Sequence, residues 1–583
     1  MKFKRLAEYF SKIEKEASRL AMTRDLAELF KEASGDEIDQ VVYLALGNLR
    51  PKFEGVEFNL AEKMMLRVLG AAYEVKAEKV RQAFKQIGDL GEVIEKLGVK
   101  TGGGRGLSVA EVYKRLMDVA VDEGQGSQDR KVQNMARLLK DLDGLSAKYV
   151  VRIPVNKLRL GFSDMTVLDG LSWMEKGDKS LRKDLERAFN VSADIGKIAA
   201  VFKKKGLGGI GGIKLEPGVP IRMAMAERLP SAEKMVEKLE VFAVEPKYDG
   251  LRVQIHVDKG KSLRMAGQED LFGGVKKLVR IFSRNLDNVT HMFPDIAEEA
   301  EKLKVKRVIL DGEAIAYDPK TKKFLPFQVT VQRKRKHGIK QKMGELPLKV
   351  MVYDILYVDG RNLMVKPFKE RRRELEKVMK GVKGELVLAE QEVVSDVKQL
   401  RMLVKKYLAE GLEGAMCKKL TTAYQAGSRN FNWVKFKKTT EGEMVDTLDC
   451  VVMGYYVGKG RRSGFGIGAF LVGVRDGGKI GTVAKIGTGL SDEQWREMKQ
   501  RADKLAVKEK PKGYEVDKNL ECDAWVESKM VVEIMADEIT KSPIHSFGLA
   551  LRFPRLVKFR DDKKVGQATS KEELKKLFRL QSG

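Results

Sequence analysis

The stretch Val241–Val257, VFAVEPKYDGLRVQIHV, constrains the fold most, because two strand patterns flank a polar turn. Its second half alternates apolar and polar residues, which is the period of a β-strand with two distinct faces. Asp249–Gly250 is the turn signal between the two patterns. The pattern predicts that Lys247 lies at the end of a strand, near Glu245 and Arg252. A lysine held in this way is a candidate nucleophile, and a hairpin with a surface salt bridge is the alternative.

Charge and size limit the class of protein. The chain has 583 residues, enough for several domains, and 111 basic against 83 acidic side chains give a net charge of +28. This excess favours a polyanionic partner such as nucleic acid over the alternative, a charge-rich surface of the heat-stable type. Three widely spaced cysteines indicate neither a disulfide framework nor a four-cysteine zinc site. We therefore expect a reducing compartment, the cytoplasm, and no membrane span.

The order of patterns predicts three domains. The pattern of residues 1–205 predicts helices, and their basic residues, which include Arg152 and Arg159, are suited to binding a phosphate backbone. We interpret the glycine-rich residues 206–218 as a flexible linker. They contain a formal GxGxxG pattern, but a nucleotide-binding turn needs a strand before this pattern and a helix after it. Here lysines precede the pattern and prolines follow it. Residues 219–440 alternate strands and helices, and residues 441–583 contain short strand patterns, typical of a small barrel, followed by a helical tail.

Polar clusters follow strand patterns throughout the second domain. They read SRN at 283–285, LDGE at 310–313, VYDILYVDG at 352–360, EGLEGAMCK at 410–418 and WVKFKK at 433–438. Each is weakly specific alone. Together they supply what a nucleotidyl-transfer site needs: a nucleophile, cations for phosphates, carboxylates for a divalent metal and an aromatic face for a base.

These motifs, in this order, resemble those of ATP-dependent DNA ligases of the archaeal and eukaryotic replicative type, within the covalent nucleotidyltransferase superfamily. Residues 551–563, LRFPRLVKFRDDK, resemble the final motif of these ligases and are called the final motif below. The resemblance implies an all-α N-terminal DNA-binding domain, an α+β nucleotidyltransferase (adenylation) domain and a C-terminal β-barrel of the OB-fold type.

The resemblance also implies roles for individual residues. Lys247 would attack ATP and carry AMP, and Glu313 and Glu413 would serve a metal ion. The nucleotide would be contacted by Glu245, Arg252, Arg284, Glu313, Tyr353, Arg429, Lys435 and Lys437. Basic residues of the final motif, Arg552, Arg555 and Lys563, would contact pyrophosphate or DNA. Apart from the resemblance, the basic run Arg333–Lys342, which includes Arg333 and Arg335, predicts contacts to the DNA backbone in addition to those of Arg152 and Arg159. A solvated loop is the alternative for this run.

The reaction implied is three nucleotidyl transfers that seal a nick in duplex DNA, in replication, repair and recombination. ATP and Mg²⁺, or another divalent cation such as Mn²⁺, would be required. Nicked DNA is the expected partner, a sliding clamp is a further one, and the expected form is a monomer associated with the nucleoid. Rival readings are an RNA ligase or mRNA-capping guanylyltransferase, an NAD-dependent ligase, which the few cysteines disfavour, and a non-catalytic DNA-binding scaffold.

Overall fold

A computed structural model of the chain describes residues 1–16, 18–96, 106–260, 278–321, 323–334, 338–437, 447–458, 464–536 and 538–581. The chain forms two compact units, Met1–Lys438 and Thr439–Gly583. Within the ranges just given, no helix is both long and apolar enough to cross a membrane.

The N-terminal region is helical, as predicted, and its amphipathic helices bury one face each in a common core. Ser108 and Glu111 form a capping box at the start of α7. The helices are α1 Phe3–Glu14, α2 Arg19–Glu32, α3 Ile38–Ala45, α4 Glu62–Tyr73, α5 Ala77–Ile87, α6 Leu90–Lys96, α7 Val109–Val121, α8 Ser127–Lys140, α9 Gly144–Arg152, α10 Asp164–Lys176, α11 Arg182–Val191 and α12 Ile195–Gly211.

The expectation of a flexible linker at 206–218 is wrong. Helix α12 continues to Gly211 and bends at Gly206, whose φ of 56° is available to a residue without a Cβ. The segment that follows is held against the neighbouring domain, because the Gly218 N–H donates to His256 Nδ1 and the Ile221 N–H donates to Gln254 Oε1. Backbone hydrogen bonds to buried side chains fix the path of this connection, a feature that glycine content alone does not reveal.

The middle of the first unit mixes helices and strands. Its elements are β1 Met225–Arg228, α13 Ala232–Leu239, β2 Phe242–Pro246, β3 Leu251–Asp258, β4 Val279–Ser283, α14 Pro294–Glu301, β5 Arg307–Ala316, α15 Phe327–Thr330, α16 Ile339–Glu345, β6 Leu348–Val358, β7 Arg361–Asn362, α17 Phe368–Met379, β8 Leu386–Leu388, β9 Glu392–Val394, α18 Val397–Ala409, β10 Gly414–Lys419 and β11 Arg429–Lys437.

These strands form two sheets. One has the order β1-β11-β10-β2-β9, and the other has the order β4-β3-β5-β6-β7, with β8 also paired to β6. The predicted turn at Asp249–Gly250 joins β2 of the first sheet to β3 of the second, so the two strand patterns do not form a simple hairpin. A Cβ at Gly250 would lie 2.4 Å from the Ala314 carbonyl oxygen, so only glycine permits this close crossing.

The second unit is rich in strands, as predicted. Its elements are β12 Leu448–Tyr456, β13 Ala469–Asp476, β14 Lys479–Ile486, α19 Asp492–Lys504, β15 Ala506–Val507, β16 Tyr514–Glu515, β17 Ala524–Val526, β18 Val531–Met535, β19 Glu538–Lys541, β20 Leu549–Arg552, β21 Arg555–Phe559 and α20 Lys571–Gln581. The main sheet has the order β15-β17-β12-β13-β14-β16, while β18 pairs with β12 and β21. Strands β19 and β20 pair with each other.

Candidate active site

A cavity of about 410 Å³ lies between the two sheets of the first unit. Residues of both sheets line it, and they come from most of the polar clusters that the sequence singled out. The predicted site residues among them are Glu245, Lys247, Arg252, Arg284, Glu313, Tyr353, Arg429 and Lys435. Fold topology therefore brings together side chains that are up to 190 positions apart in the sequence.

Lys247 lies just after β2, where two backbone hydrogen bonds fix its position. Its N–H donates to the Gly414 carbonyl over 2.9 Å, and its carbonyl accepts from the Glu413 N–H over 3.0 Å. The side chains then meet, because Lys247 Nζ donates to one oxygen of Glu413 and Lys437 Nζ donates to the other. Glu413 thus lies between two ammonium groups.

Burial opposes the ionisation of Glu413, but Lys247 and Lys437 outweigh this effect and hold its pKa below the ordinary value. The pKa of Glu313 is shifted in the opposite direction. Its carboxyl lines the cavity, and burial raises its pKa to about 7, although Lys247 and Arg252 act in the opposite direction. The site therefore contains one firmly ionised carboxylate beside Lys247 and one carboxyl that a cation would shift towards its ionised form.

Arg252 is held by a buried acid. Its Nε and Nη2 donate to Asp311 over 3.1 and 2.6 Å, and its Nη1 donates to the Ala224 carbonyl over 2.5 Å. Asp311 is fully buried, so this bidentate pair is protected from solvent. Nη2 also donates to the Tyr424 hydroxyl over 3.4 Å, so these bonds use four of the five N–H donors of Arg252 and leave one on Nη1.

Lys435 supplies a cation of a different kind. Burial lowers its pKa to about 8, and the nearby Arg228, Arg429, Lys437 and Lys247 add to the shift. At pH 7 it is still mostly protonated, so an anion that enters the cavity meets a cation that has lost much of its hydration.

Glu245 and Lys418 form a buried ion pair at the end of the cavity. Lys418 Nζ lies 2.6 Å from Glu245 Oε2, and the exposed fractions of the two side chains are 1% and 3%. Glu245 Oε1 receives no hydrogen bond from any described residue, although it is buried. A buried acceptor without a donor is costly, which makes this oxygen a candidate ligand-binding atom.

Sequence reasoning missed several residues that line the cavity. Met416 and Lys418 on β10, and Trp433 on β11, face it together with Glu245 and Lys435. The signal was available, because residues two apart on a strand share a face. Gly414, Met416 and Lys418 follow that period, as do Trp433, Lys435 and Lys437.

Other predicted residues lie elsewhere. Arg159 is exposed and pairs with Asp89 over 3.1 Å, and Arg335 lies outside the described residues. The predicted DNA contacts of Arg152 and Arg333 do not agree with their burial, because their side chains are each 1% exposed. Arg152 pairs with Asp89 and Glu14, and Arg333 pairs bidentately with Asp295, so the charges of both are neutralised inside the protein.

The final motif belongs to the second unit. Arg552 ends β20, Arg555 begins β21, and Lys563 follows, with its Nζ 2.5 Å from Asp449 Oδ2. Asp449 also pairs with Arg560 over 2.9 Å.

Comparison with known proteins gives matches along the chain. Three family models match: "DNA ligase N terminus" at residues 2–172, "ATP dependent DNA ligase domain" at 274–437 and "ATP dependent DNA ligase C terminal region" at 463–563. The chain is similar to a "Probable DNA ligase" of Dictyoglomus turgidum, at 43% identity over 100% of this chain and 98% of the relative. It is also similar to "DNA ligase 2" of Thermofilum pendens, at 38% identity over 99% and 97% of the two chains.

A solved structure described as "Pmar-Lig_PreS3" is similar in fold, with a TM-score of 0.54. The match covers 95% of this chain and 99% of that chain at 19% sequence identity, so it bears on the fold alone.

Proposed function

The chain belongs to the ATP-dependent DNA ligase family, and from that premise we propose which of its residues carry out the reaction. The enzyme seals nicks in duplex DNA by joining 3′-hydroxyl and 5′-phosphate ends through an adenylate intermediate. The observation that carries the assignment of residues is the convergence of Lys247, Lys435 and Glu245 on one cavity. Among the described residues, none donates a hydrogen bond to the buried Oε1 of Glu245.

In the first step, Lys247 is the nucleophile. Its ammonium group, which is hydrogen-bonded to Glu413, first loses a proton to solvent, and the lone pair of the amine then attacks the α-phosphorus of ATP. A phosphorus–nitrogen bond forms, the bond to the bridging oxygen of the β-phosphate breaks, and pyrophosphate leaves. Lys435 and the free part of the Arg252 guanidinium lie where they can stabilise the charge on the phosphate oxygens.

The nucleotide is oriented by the walls of the cavity. Tyr353 would stack on the adenine, and Glu245 Oε1 would accept a hydrogen bond from the adenine amino group. Arg284 and Arg429, both exposed at the cavity, would contact the ribose or the phosphates. Once Lys247 carries AMP it is no longer a cation, so Glu413 loses one of its two partners. The 5′-phosphate at the nick then takes AMP, and the 3′-hydroxyl displaces it.

A divalent metal ion fits this site through Glu313. Among the described residues there is no group of three or more acidic, histidine or cysteine side chains that could hold a metal by itself. Glu313 lines the cavity, and its raised pKa is what a cation bound there would bring down again. Mg²⁺ bound to Glu313 and phosphate oxygens would supply charge neutralisation during phosphoryl transfer. Glu413 is less suited in the free enzyme, because two lysines already neutralise it.

We extend the proposal to the whole protein. The helical residues 1–205 bind DNA, residues 219–440 form the adenylation domain, and residues 441–583 form an OB-fold whose final motif, with Arg552, Arg555 and Lys563, contacts pyrophosphate or DNA. The enzyme acts as a monomer on nicked DNA in the nucleoid, and a sliding clamp is a further partner. The excess of basic residues and the similarity to DNA ligases support these assignments.

The test is self-adenylation with α-labelled ATP and Mg²⁺, followed by mapping of the labelled peptide. Lys247→Ala should reduce labelling by at least about 10³-fold, because no other group replaces the attacking atom. Lys234→Ala is the matched control, since this surface lysine of α13 pairs only locally with Glu237 and should leave labelling unchanged. Labelling of the Lys247→Ala protein at the wild-type rate would refute the assignment.

A further inference from the structure

Lys418 is buried beside the proposed adenine site, yet the reaction gives it no role. Its Nζ lies 4.4 Å from the ring centroid of Tyr353 and 4.5 Å from that of Trp433, so aromatic faces surround the ammonium group. Its one carboxylate contact among the described ion pairs is Glu245 Oε2, at 2.6 Å. Lys418 thus holds one oxygen of Glu245, a residue that lines the cavity, while the other oxygen, Oε1, is buried and receives no hydrogen bond from the described residues.

Each member of this pair depends on the other for its charge. Burial raises the pKa of Glu245, and burial lowers the pKa of Lys418, so each alone would favour its neutral form. Their contact is what opposes both shifts. A Glu245 carboxyl without Lys418 would hold a proton and become a hydrogen-bond donor instead of an acceptor.

We propose that Lys418 is a positioning residue for base selection. By keeping Glu245 ionised in the wall of the cavity, it makes the site accept a purine with an amino group at position 6 and reject one with a carbonyl at that position. Adenine presents an N–H donor at that position, and guanine presents an oxygen acceptor. A carboxylate attracts the first and repels the second. This inference rests on the proposed function, because it requires the nucleotide to bind in this cavity.

Other charged and titratable groups around Glu245 do not replace Lys418. Arg372 on α17 also lowers the pKa of Glu245, but Asp354 on β6 raises it. Asp354 is itself held bidentately by Arg371, at 2.8 and 2.9 Å. The neighbouring titratable groups, Tyr248, Tyr407 and Cys417, have pKa values raised by burial and stay neutral near pH 7.

The experiment compares self-adenylation of the full-length enzyme with self-guanylylation, using α-labelled ATP and GTP with Mg²⁺. Lys418→Met, which keeps the length of the side chain and removes the charge, should raise the ratio of GTP to ATP labelling at least about tenfold near pH 7. The ratio should fall again as the pH rises, because Glu245 then ionises. In the wild type the ratio should stay low and constant over the same range.

Two further variants sharpen the result. Lys419→Met, at the next position of β10, is the matched control and should keep the wild-type ratio. Glu245→Gln should raise the ratio without any dependence on pH, because an amide can donate to the guanine oxygen at every pH. The double variant Lys418→Met/Glu245→Gln should match Glu245→Gln alone, since Lys418 acts only through Glu245.

Three results would overturn the inference. One is an unchanged ratio in Lys418→Met. Another is a rise in the ratio of GTP to ATP labelling in Lys418→Met that does not depend on pH and is accompanied by labelling from UTP, which would indicate a loosened cavity. The third is an infrared band of a protonated Glu245 carboxyl in the wild type near pH 7, identified by its loss in Glu245→Gln; this measurement does not depend on the folding of Lys418→Met. If the wild type takes no label on Lys247 from ATP, the proposed function itself fails, and the two failures are thus distinguishable.

Discussion

Two ion pairs of the nucleotide cavity, Arg252–Asp311 and Lys418–Glu245, include acids buried in the interior, whereas the ion pairs of the final motif lie nearer solvent. Arg252 binds Asp311, which is fully buried, and Lys418 binds Glu245 at 3% exposure or less. Lys563 and Arg560 share Asp449, and all three side chains are partly exposed. Buried ion pairs stay in place before a substrate binds, because loss of one partner would leave an unpaired charge in the interior. Pairs near solvent exchange partners at little cost.

This difference in burial indicates that the two regions have different roles. The cavity provides a rigid set of charges that recognises a nucleotide, while the final motif provides cations that can leave Asp449 for a phosphate group. Substitutions in the two regions should therefore differ in kind: those in the cavity should affect both stability and catalysis, and those in the final motif should affect catalysis alone.

The largest expected effect is that of Arg252→Met, because it leaves Asp311 buried without its partner. We expect a loss of about 3–5 kcal/mol in the free energy of unfolding and a fall of at least about 100-fold in self-adenylation. Urea unfolding and adduct formation with labelled ATP measure the two effects. Adding Asp311→Asn should restore much of the stability but not the activity. A stable, inactive Arg252→Met single variant would show that the pair does not support the fold.

Lys563→Ala tests the other side of the comparison and should have a smaller effect. We expect self-adenylation to slow about tenfold, because a cation that would accompany the leaving pyrophosphate is lost, while the midpoint of urea unfolding stays the same. Sealing of a nick that already carries AMP should be affected less, since pyrophosphate plays no part in it. Lys576→Ala, on the exposed face of α20, is the control. A marked loss of stability in Lys563→Ala would remove the contrast between the two regions.

The smallest effect concerns pH. The pKa of Lys435 is lowered to about 8, so this side chain loses its charge as the pH rises through that value. We expect the KM for ATP in self-adenylation to rise by up to about eightfold between about pH 7.5 and pH 9, as the protonated fraction falls. Lys435→Arg keeps its charge over this range and should give a flatter profile. A profile that is identical for both proteins would show that Lys435 does not bind the nucleotide as a cation.

The sequence predicted much of the fold because local patterns determine it. The alternation in the second half of Val241–Val257 and the strand pattern at 433–438 correctly indicated strands, with Val434 and Phe436 buried on the face opposite Lys435. The rigid connection after α12 was missed, because its hydrogen bonds come from Gln254 and His256 on a distant strand. Local glycine content cannot report such contacts.

The candidate site was predicted from motif order, but the pairing of its charges was not. Asp311 read as one of two acids in LDGE, and nothing local indicates that it binds Arg252 while Glu313 lines the cavity. The predicted DNA contacts of Arg152 and Arg333 disagree with the structure for the same reason. An arginine in a basic stretch looks like a surface cation until the carboxylates that neutralise it, Glu14, Asp89 and Asp295, are located in space.

Strand order in the first sheet has a consequence for how the chain is made. Strand β2, which leads into Lys247, pairs on one edge with β9 and on the other with β10, so that Val244 lies opposite Cys417. During synthesis, the ribosome must release the chain well beyond residue 419 before both edges of β2 are covered, whereas the helices before it make mainly earlier contacts. A nascent chain that stops before residue 392 carries an apolar strand with two open edges, which is a template for aggregation. Premature termination in this interval should therefore yield insoluble fragments.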